Sequence, residues 1–411
     1  MKYYVESYGC TMNFGEGRKL SEDMASMGYV EVYSADEADI VILNTCTVVE
    51  TTEKHMISRI AELKKMGKEI VVTGCMAKAQ PQRIEIRLPN SPIVPPENYD
   101  NFVSIISSRY GIAGDPQPCF KDKSAILPIA QGCLGHCSYC ITKFARGDLV
   151  SYPEQTLKER FDRFIDDGAT EVLVTAQDTA CYGRDTGSDL PTLLRLFLSK
   201  KGDYRVRLGM MNPNALKNIA DDLLEIMKGD DRVYRFIHIP VQSASDSILK
   251  AMRRQYRYDD YRSIVSRLRE SIPDISIATD VICGFPGETD DDHNANIQMI
   301  RELRLDTVNI TRFSARPGTD AANMVPVHGR ISKDRSAELT AVKNETEDSV
   351  NSRLVGRRFV ALSTEKGKEG TILRTNNYRP VVVRNDLPIG MFFNIEVTEN
   401  KPTYLIGKLL G

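Results

Sequence analysis

Short apolar stretches alternate with amphipathic ones from the first residues onward. "KYYVESYG" alternates apolar and polar positions as a strand does, and "GEGRKLSEDMASMG" follows with helical spacing. "ADIVILNT" is a continuous apolar run of the kind buried on both faces of a parallel sheet; a helix is expected near residues 48–66, and "KEIVVTG" repeats the strand. These βα units predict an open parallel α/β domain over residues 1–110. Residues 85–124, with "RLPNSPIVPPENYDN" and "AGDPQPCFKDKS", are rich in proline and turn formers and predict an irregular boundary.

From residue 125 the pattern restarts. "AILPIAQ", "TEVLVTAQ", "YRVRLGMM", "YRFIHIPV", "ISIATDVI" and "DTVNITRF" are six strand candidates, with helical stretches such as "TLKERFDRFIDDG", "LPTLLRLFLSK" and "DYRSIVSRLRES" between them. They predict a partial (β/α)6 barrel over residues 119–348. A polar helical connector covers about 332–352. Five short strands then follow, "RRFVALSTEKG", "EGTILRTNN", "RPVVVRND", "FFNIEVTEN" and "TYLIGKLL", which predict a small β-barrel over 351–411. The expected fold class is α/β: an N-terminal open parallel α/β domain, a partial (β/α)6 barrel and a C-terminal small β-barrel.

Composition adds little to this until it is read locally. A chain of 411 residues can carry two or three cores, and its formal charge of −2 gives no whole-protein signal for nucleic acid. Residues 352–411, however, hold ten Lys and Arg against five Asp and Glu, and a basic small barrel suits nucleic acid. The start "MKYYVESYGC" lacks the charged and apolar segments of a signal peptide, and no apolar run approaches a membrane span. A cytoplasmic protein without a membrane partner is expected, and in that reducing compartment its nine cysteines are not expected to form disulfides.

Six of those cysteines fall into two sets. "QGCLGHCSYC" places Cys133, Cys137 and Cys140 on the loop after the first barrel strand, while Cys10, Cys46 and Cys75 each stand just past the carboxyl end of an N-terminal strand. That edge of a parallel sheet is where ligands bind, and in βα barrels the same face carries the chemistry. Any one dispersed cysteine reads most simply as a small buried thiol; three at equivalent positions do not. Structural zinc usually takes four ligands. Three thiolates on a four-iron cluster leave one iron open. Cys119, Cys181 and Cys283 stand alone and are expected to be incidental thiols. Five histidines in the whole chain suit a chemistry that relies little on general bases.

The spacing in "CLGHCSYC", with aromatic Tyr139 before the last cysteine, resembles the radical S-adenosylmethionine superfamily. Together with "YGCTMN", "LNTCTV", "TGC", "FARG", "TAQDT", "HIPVQSAS", "DVICGFPGET" and "FSARPGT", it resembles the methylthiotransferases along nearly the whole chain, ending in a TRAM barrel. The resemblance implies two [4Fe-4S] clusters, one on Cys133, Cys137 and Cys140 and the other on Cys10, Cys46 and Cys75. One S-adenosylmethionine methylates a sulfur on the second cluster; another yields the radical that activates the substrate carbon. It further implies that Gln177, Asn212 and Gln242 line the S-adenosylmethionine site and that Tyr139 and Gly284 contact its adenine region. For each polar residue of this group, a side chain that caps its own loop is an equal alternative.

Arg146 in "FARGDLVSYP" is expected to contact substrate phosphate or organise the cluster loop, and His238 to belong to the barrel interior. "RRQYRY" at 253–258 reads either as an RNA contact or as a solvated helix end. The wording "GCLGHCSYCITKFARGDLVSYP" resembles the archaeal and eukaryotic branch acting on N6-threonylcarbamoyladenosine at position 37 of tRNA, beside the anticodon. Partners implied are the tRNA anticodon stem-loop and a reductant such as flavodoxin or ferredoxin. The alternatives are N6-isopentenyladenosine in tRNA or an aspartate of a ribosomal protein. Two other classes are a zinc-holding RNA-binding protein and a radical enzyme that only methylates.

Overall fold

A five-stranded, all-parallel sheet opens the chain: β1 (Lys2–Ser7), β2 (Val30–Glu31), β3 (Ile40–Thr45), β4 (Glu69–Gly74) and β5 (Ile93–Val94), in the order 2-1-3-4-5. In this computed structural model every residue is described except Val49 and Gly411. Val49, in the expected helix near 48–66, and Gly411, at the end of the expected terminal barrel, lie outside the described residues. The helix there spans Glu50–Lys65.

The apolar run of β3 is explained by the helices on both sides of the sheet. Val41 and Leu43 pack with Met56, Ile60 and Leu63 on one face, while Ile40 and Ile42 pack with Leu20, Met24, Phe102 and Ile106 on the other. The stretch read as irregular is only partly so. β5, the turn of helix Pro96–Asn101 and the helix Phe102–Tyr110 all lie within 85–124, and Val94, Tyr99, Phe102 and Ile106 are buried in the core of this sheet. The prolines flank these elements rather than preclude them: Pro95 and Pro96 stand at the start of a helical turn, where a missing N–H costs nothing.

The chain forms two compact units. One comprises Met1–Asp122, Ala130–Val150 and Arg316–Thr319; the other comprises Lys123–Ile129, Ser151–Ala315 and Asp320 onward. All six cysteines of the two sets therefore belong to the first unit, joined there by a four-residue segment from far along the chain.

In the second unit the six expected strands are all present. Ser124–Pro128, Glu171–Thr175 and Arg205–Leu208 form one parallel sheet, and Phe236–His238, Ser276–Cys283 and Thr307–Arg312 form another. An isolated parallel bridge joins Val206 of the first sheet to Val233, which precedes the strand Phe236–His238. The connector is a helix, Gly329–Ser352. Beyond it Arg358–Gly367, Gly370–Thr375, Pro380–Val383, Phe392–Asn400 and Leu405–Leu409 close into a barrel around Ala361, Leu373, Val381, Val383, Ile395, Val397 and Leu405. Its Asn376–Arg379 turn docks at the amino-terminal ends of the parallel strands. Arg235 N–H donates to the Asn376 carbonyl at 2.9 Å, Arg379 pairs with Asp306, and the Tyr378 ring lies 5.0 Å from that of Phe236. Among the described residues no helix is long and apolar enough to cross a membrane.

Candidate active site

The dispersed cysteines owe their meeting to topology. Cys10 is the residue before the helix Thr11–Ser26, Cys46 follows β3 directly and Cys75 follows β4 directly. β1, β3 and β4 are neighbours in parallel register, so their carboxyl ends arrive together. Gly9 makes the approach possible. Its φ of +103° is open to glycine, and a Cβ there would stand 2.7 Å from the Cys46 Sγ. Cys46 and Cys75 are buried and Cys10 is exposed. The Cys75 thiol is pushed up to about 12, chiefly by burial and further by the nearby Cys10 and Cys46, with Arg146 pulling it down. The three thiols thus share one electrostatic neighbourhood.

The clustered cysteines owe theirs to a local loop. Gly135 N–H donates to the Cys133 Sγ at 3.2 Å, and a Cβ on Gly135 would lie 3.4 Å from that sulfur and 3.8 Å from the Cys137 Sγ. The Cys140 N–H donates to the Cys137 carbonyl at 3.2 Å, and Lys143 Nζ donates to the Cys133 carbonyl at 2.7 Å. All three cysteines, and Tyr139 between them, are half-buried. Among the described residues no three His, Cys, Asp or Glu side chains converge closely enough to hold a single metal ion. Two sets of three thiols suit a cubane, which spreads its thiolates over separate irons.

Arg146 links the two sets. It ends the short helix Thr142–Arg146 that follows Cys140, and it is 3% exposed. Its Nε donates to the Cys75 Sγ at 3.2 Å, its Nη2 to the Asn13 Oδ1 at 2.5 Å, and its Nη1 pairs with buried Glu16. Neither substrate phosphate nor the cluster loop, the two partners read for it in the sequence, is among these contacts; it stands instead on the dispersed set. A second buried guanidinium was not singled out. Arg316, from "FSARPGT", donates through Nη2 to the Thr47 carbonyl at 2.6 Å and pairs with Glu53. Asn13, Glu16 and Glu53 were missed as well. The one signal available was charge or amide inside otherwise amphipathic helices, which does not separate a buried partner from a solvated one.

In the second unit, Gln177 places its Oε1 in a buried position with no hydrogen-bond partner among the described residues. Its neighbour Asp178 accepts from the backbone N–H of Asn212 at 3.1 Å and from the Cys181 thiol at 3.1 Å. The Asn212 side chain caps its own helix, accepting from the Asn214 N–H at 3.1 Å. Gln242 takes a left-handed φ of 71° and donates its N–H to the Asp280 carbonyl at 2.8 Å. Asp280 also accepts from Asn309 at 2.8 Å and meets His238 Nε2 at 3.0 Å. Burial pushes the Asp280 carboxyl up, but His238 and Asn309 outweigh it and carry it below the ordinary range.

Gly284 has a local explanation: with φ +72°, a Cβ there would approach the Ser332 Cβ to 2.7 Å. "RRQYRY" makes its contacts within the second unit, with Arg253 and Arg257 exposed. Arg253 pairs with Asp320, Arg254 Nε donates to Tyr256 Oη at 2.9 Å, and Arg257 pairs with Asp246 at 2.8 Å. Burial, then the nearby Glu22 and Glu31, pushes the Cys119 thiol up, and the Cys283 thiol meets the Ser332 carbonyl at 3.5 Å.

Three family models match the chain: uncharacterized protein family UPF0004 over residues 2–94, the radical SAM superfamily over 127–300 and the TRAM domain over 352–410. The chain is 35% identical to a probable threonylcarbamoyladenosine tRNA methylthiotransferase of Pyrococcus abyssi, over the whole of both chains. It is 36% identical to one of Archaeoglobus fulgidus, over all of this chain and 99% of that one. With the human threonylcarbamoyladenosine tRNA methylthiotransferase it shares 33% identity over 99% of this chain and 74% of the relative. Among solved structures, a radical S-adenosylmethionine methyltransferase of Kitasatospora setae, with cobalamin and a [4Fe-4S] cluster bound, aligns with a TM-score of 0.56. It does so at 13% identity over 78% of this chain and 76% of that one, a likeness of fold. The domain order, the two cysteine sets and these full-length relatives lead to one conclusion: the chain belongs to the methylthiotransferases of the radical S-adenosylmethionine superfamily.

Proposed function

We propose that this enzyme methylthiolates C2 of N6-threonylcarbamoyladenosine at position 37 of tRNA, with two [4Fe-4S] clusters and two S-adenosylmethionine molecules. The observation that carries the reading is the meeting of Cys10, Cys46 and Cys75 at one sheet edge, beside a guanidinium supplied by the helix after Cys133, Cys137 and Cys140. In this reading residues 1–110, 119–348 and 351–411 are its three domains. Each cysteine set holds one cluster; when bound, the clusters supply one-electron cleavage of S-adenosylmethionine and the sulfur to be transferred.

The chain's own residues bind and orient. Gln177 offers an unsatisfied buried acceptor and Gln242 is held in a strained backbone conformation; this proposal assigns each of them, and Asn212, Tyr139 and Gly284, to S-adenosylmethionine. The net positive terminal barrel supports a tRNA partner, with the anticodon stem-loop as the segment recognised. The names of the relatives support the threonylcarbamoyl substrate over the isopentenyl one and over a ribosomal protein. A cytoplasmic location and a flavodoxin or ferredoxin as electron source complete it.

The test is anaerobic turnover on tRNA carrying either hypermodified adenosine, followed by nucleoside mass spectrometry. A methylthio mass gain on the threonylcarbamoyl nucleoside is expected. Gain on the isopentenyl nucleoside alone would overturn the substrate assignment and leave the enzyme class standing.

A further inference from the structure

Two buried guanidiniums stand on the dispersed cysteine set, each delivered by a segment outside the sheet that carries those cysteines. Arg146 donates to the Cys75 sulfur itself, at 3.2 Å. Arg316 donates to the carbonyl of Thr47, the residue after Cys46, at 2.6 Å, and the charge of Cys46 acts on it. Each is anchored by a buried carboxylate, Glu16 for Arg146 and Glu53 for Arg316, and Arg83 also pairs with Glu53. Arg83 is partly exposed, so the two buried guanidiniums are matched by the two buried carboxylates. The Arg316 Nε is buried with no hydrogen-bond partner among the described residues. A buried donor without an acceptor is costly. That cost is met if the thiols carry an anionic group within reach of Arg316.

We propose that Arg146 and Arg316 form a two-sided guanidinium clamp that balances the charge of the cluster on Cys10, Cys46 and Cys75 and sets its reduction potential. They are positioning residues acting through the cluster. The inference rests on the reading that these three cysteines hold a cluster. A positive charge nearby stabilises the reduced form, which carries one more electron, so its loss lowers the potential. Loss of a neighbouring carboxylate raises it. Hydrogen bonds to cluster sulfurs act in the same direction as positive charge.

The experiment uses the full chain with Cys133, Cys137 and Cys140 replaced by Ala, so that only the dispersed set can hold iron. Iron and sulfide are counted after anaerobic reconstitution. The cluster is then titrated with a chemical reductant and followed by electron paramagnetic resonance. Arg146→Gln and Arg316→Gln are each expected to lower the ratio of reduced to oxidised cluster at fixed potential tenfold, about 59 mV for one electron. Arg146→Lys restores part of the shift. Glu16→Gln and Glu53→Gln are expected to move the potential upward. They decide the matter if an arginine variant fails to fold.

Four irons per chain with potentials that move by less than twofold in the ratio, or that fall in the glutamate variants, overturn the clamp while leaving the cluster. No iron on the triple-Ala chain overturns the cluster reading, and the clamp with it.

Discussion

The two cysteine sets reach the same number of thiols by opposite routes. Cys133, Cys137 and Cys140 are gathered by eight consecutive residues, are half-buried, and are braced by backbone N–H groups and Lys143. Cys10, Cys46 and Cys75 are gathered by three parallel strands, two of them are buried, and they are braced by buried ionic side chains from distant segments. A loop can be built locally and left open to a cosubstrate. A site made by topology is rigid and charged, and it fails when any remote contributor fails.

That contrast can be broken most completely by removing one thiol from each set. Cys137→Ala is expected to abolish both S-adenosylmethionine cleavage and product. Cys46→Ala is expected to abolish sulfur transfer while cleavage to 5′-deoxyadenosine persists, as chromatography of the turnover mixture would show. Equal loss of both activities in both variants would erase the distinction between the sets.

Arg146→Met tests the charged shell as structure. It leaves Glu16 buried without its cation, an expected loss of about 3–5 kcal/mol in denaturant unfolding. Arg146→Met combined with Glu16→Leu is expected to recover much of it, because the unpaired charge goes too. A single-variant loss no larger than that of the double variant would show that packing, not charge, is what Arg146 contributes.

In the second unit, Gly284→Ala places a side chain against Ser332 at a left-handed φ and is expected to cost about 1–3 kcal/mol. An unchanged unfolding midpoint would remove the steric explanation and leave cofactor contact as the reason for this glycine. The smallest effect concerns Asp280, whose carboxyl is held low against burial by His238 and Asn309. A group with a depressed folded value stabilises above its unfolded pKa, about 3.9, and that contribution fades as the pH falls through the folded value. Asp280→Asn is therefore expected to be less stable than the parent by about 1 kcal/mol at neutral pH, with the gap closing below about pH 4. A gap independent of pH would contradict the pairing.

What could be read in advance follows the same division. The six parallel strands, the terminal barrel and the clustered cysteines are written in local period and spacing, and each is where the pattern places it. The convergence of Cys10, Cys46 and Cys75 was readable only through the fold, by way of the strand ends. The segment 85–124 misled because its prolines mark edges of elements as well as linkers. Arg316 was beyond reach: its partner Thr47 lies 269 residues away, and nothing in "FSARPGT" distinguishes a buried guanidinium from a solvated one.

The most direct test of the account is the count of iron and acid-labile sulfide per chain after anaerobic reconstitution of the intact protein. About eight irons are expected, two four-iron clusters on two sets of three thiols. About four would leave the clustered loop occupied and contradict the claim that the dispersed cysteines are ligands.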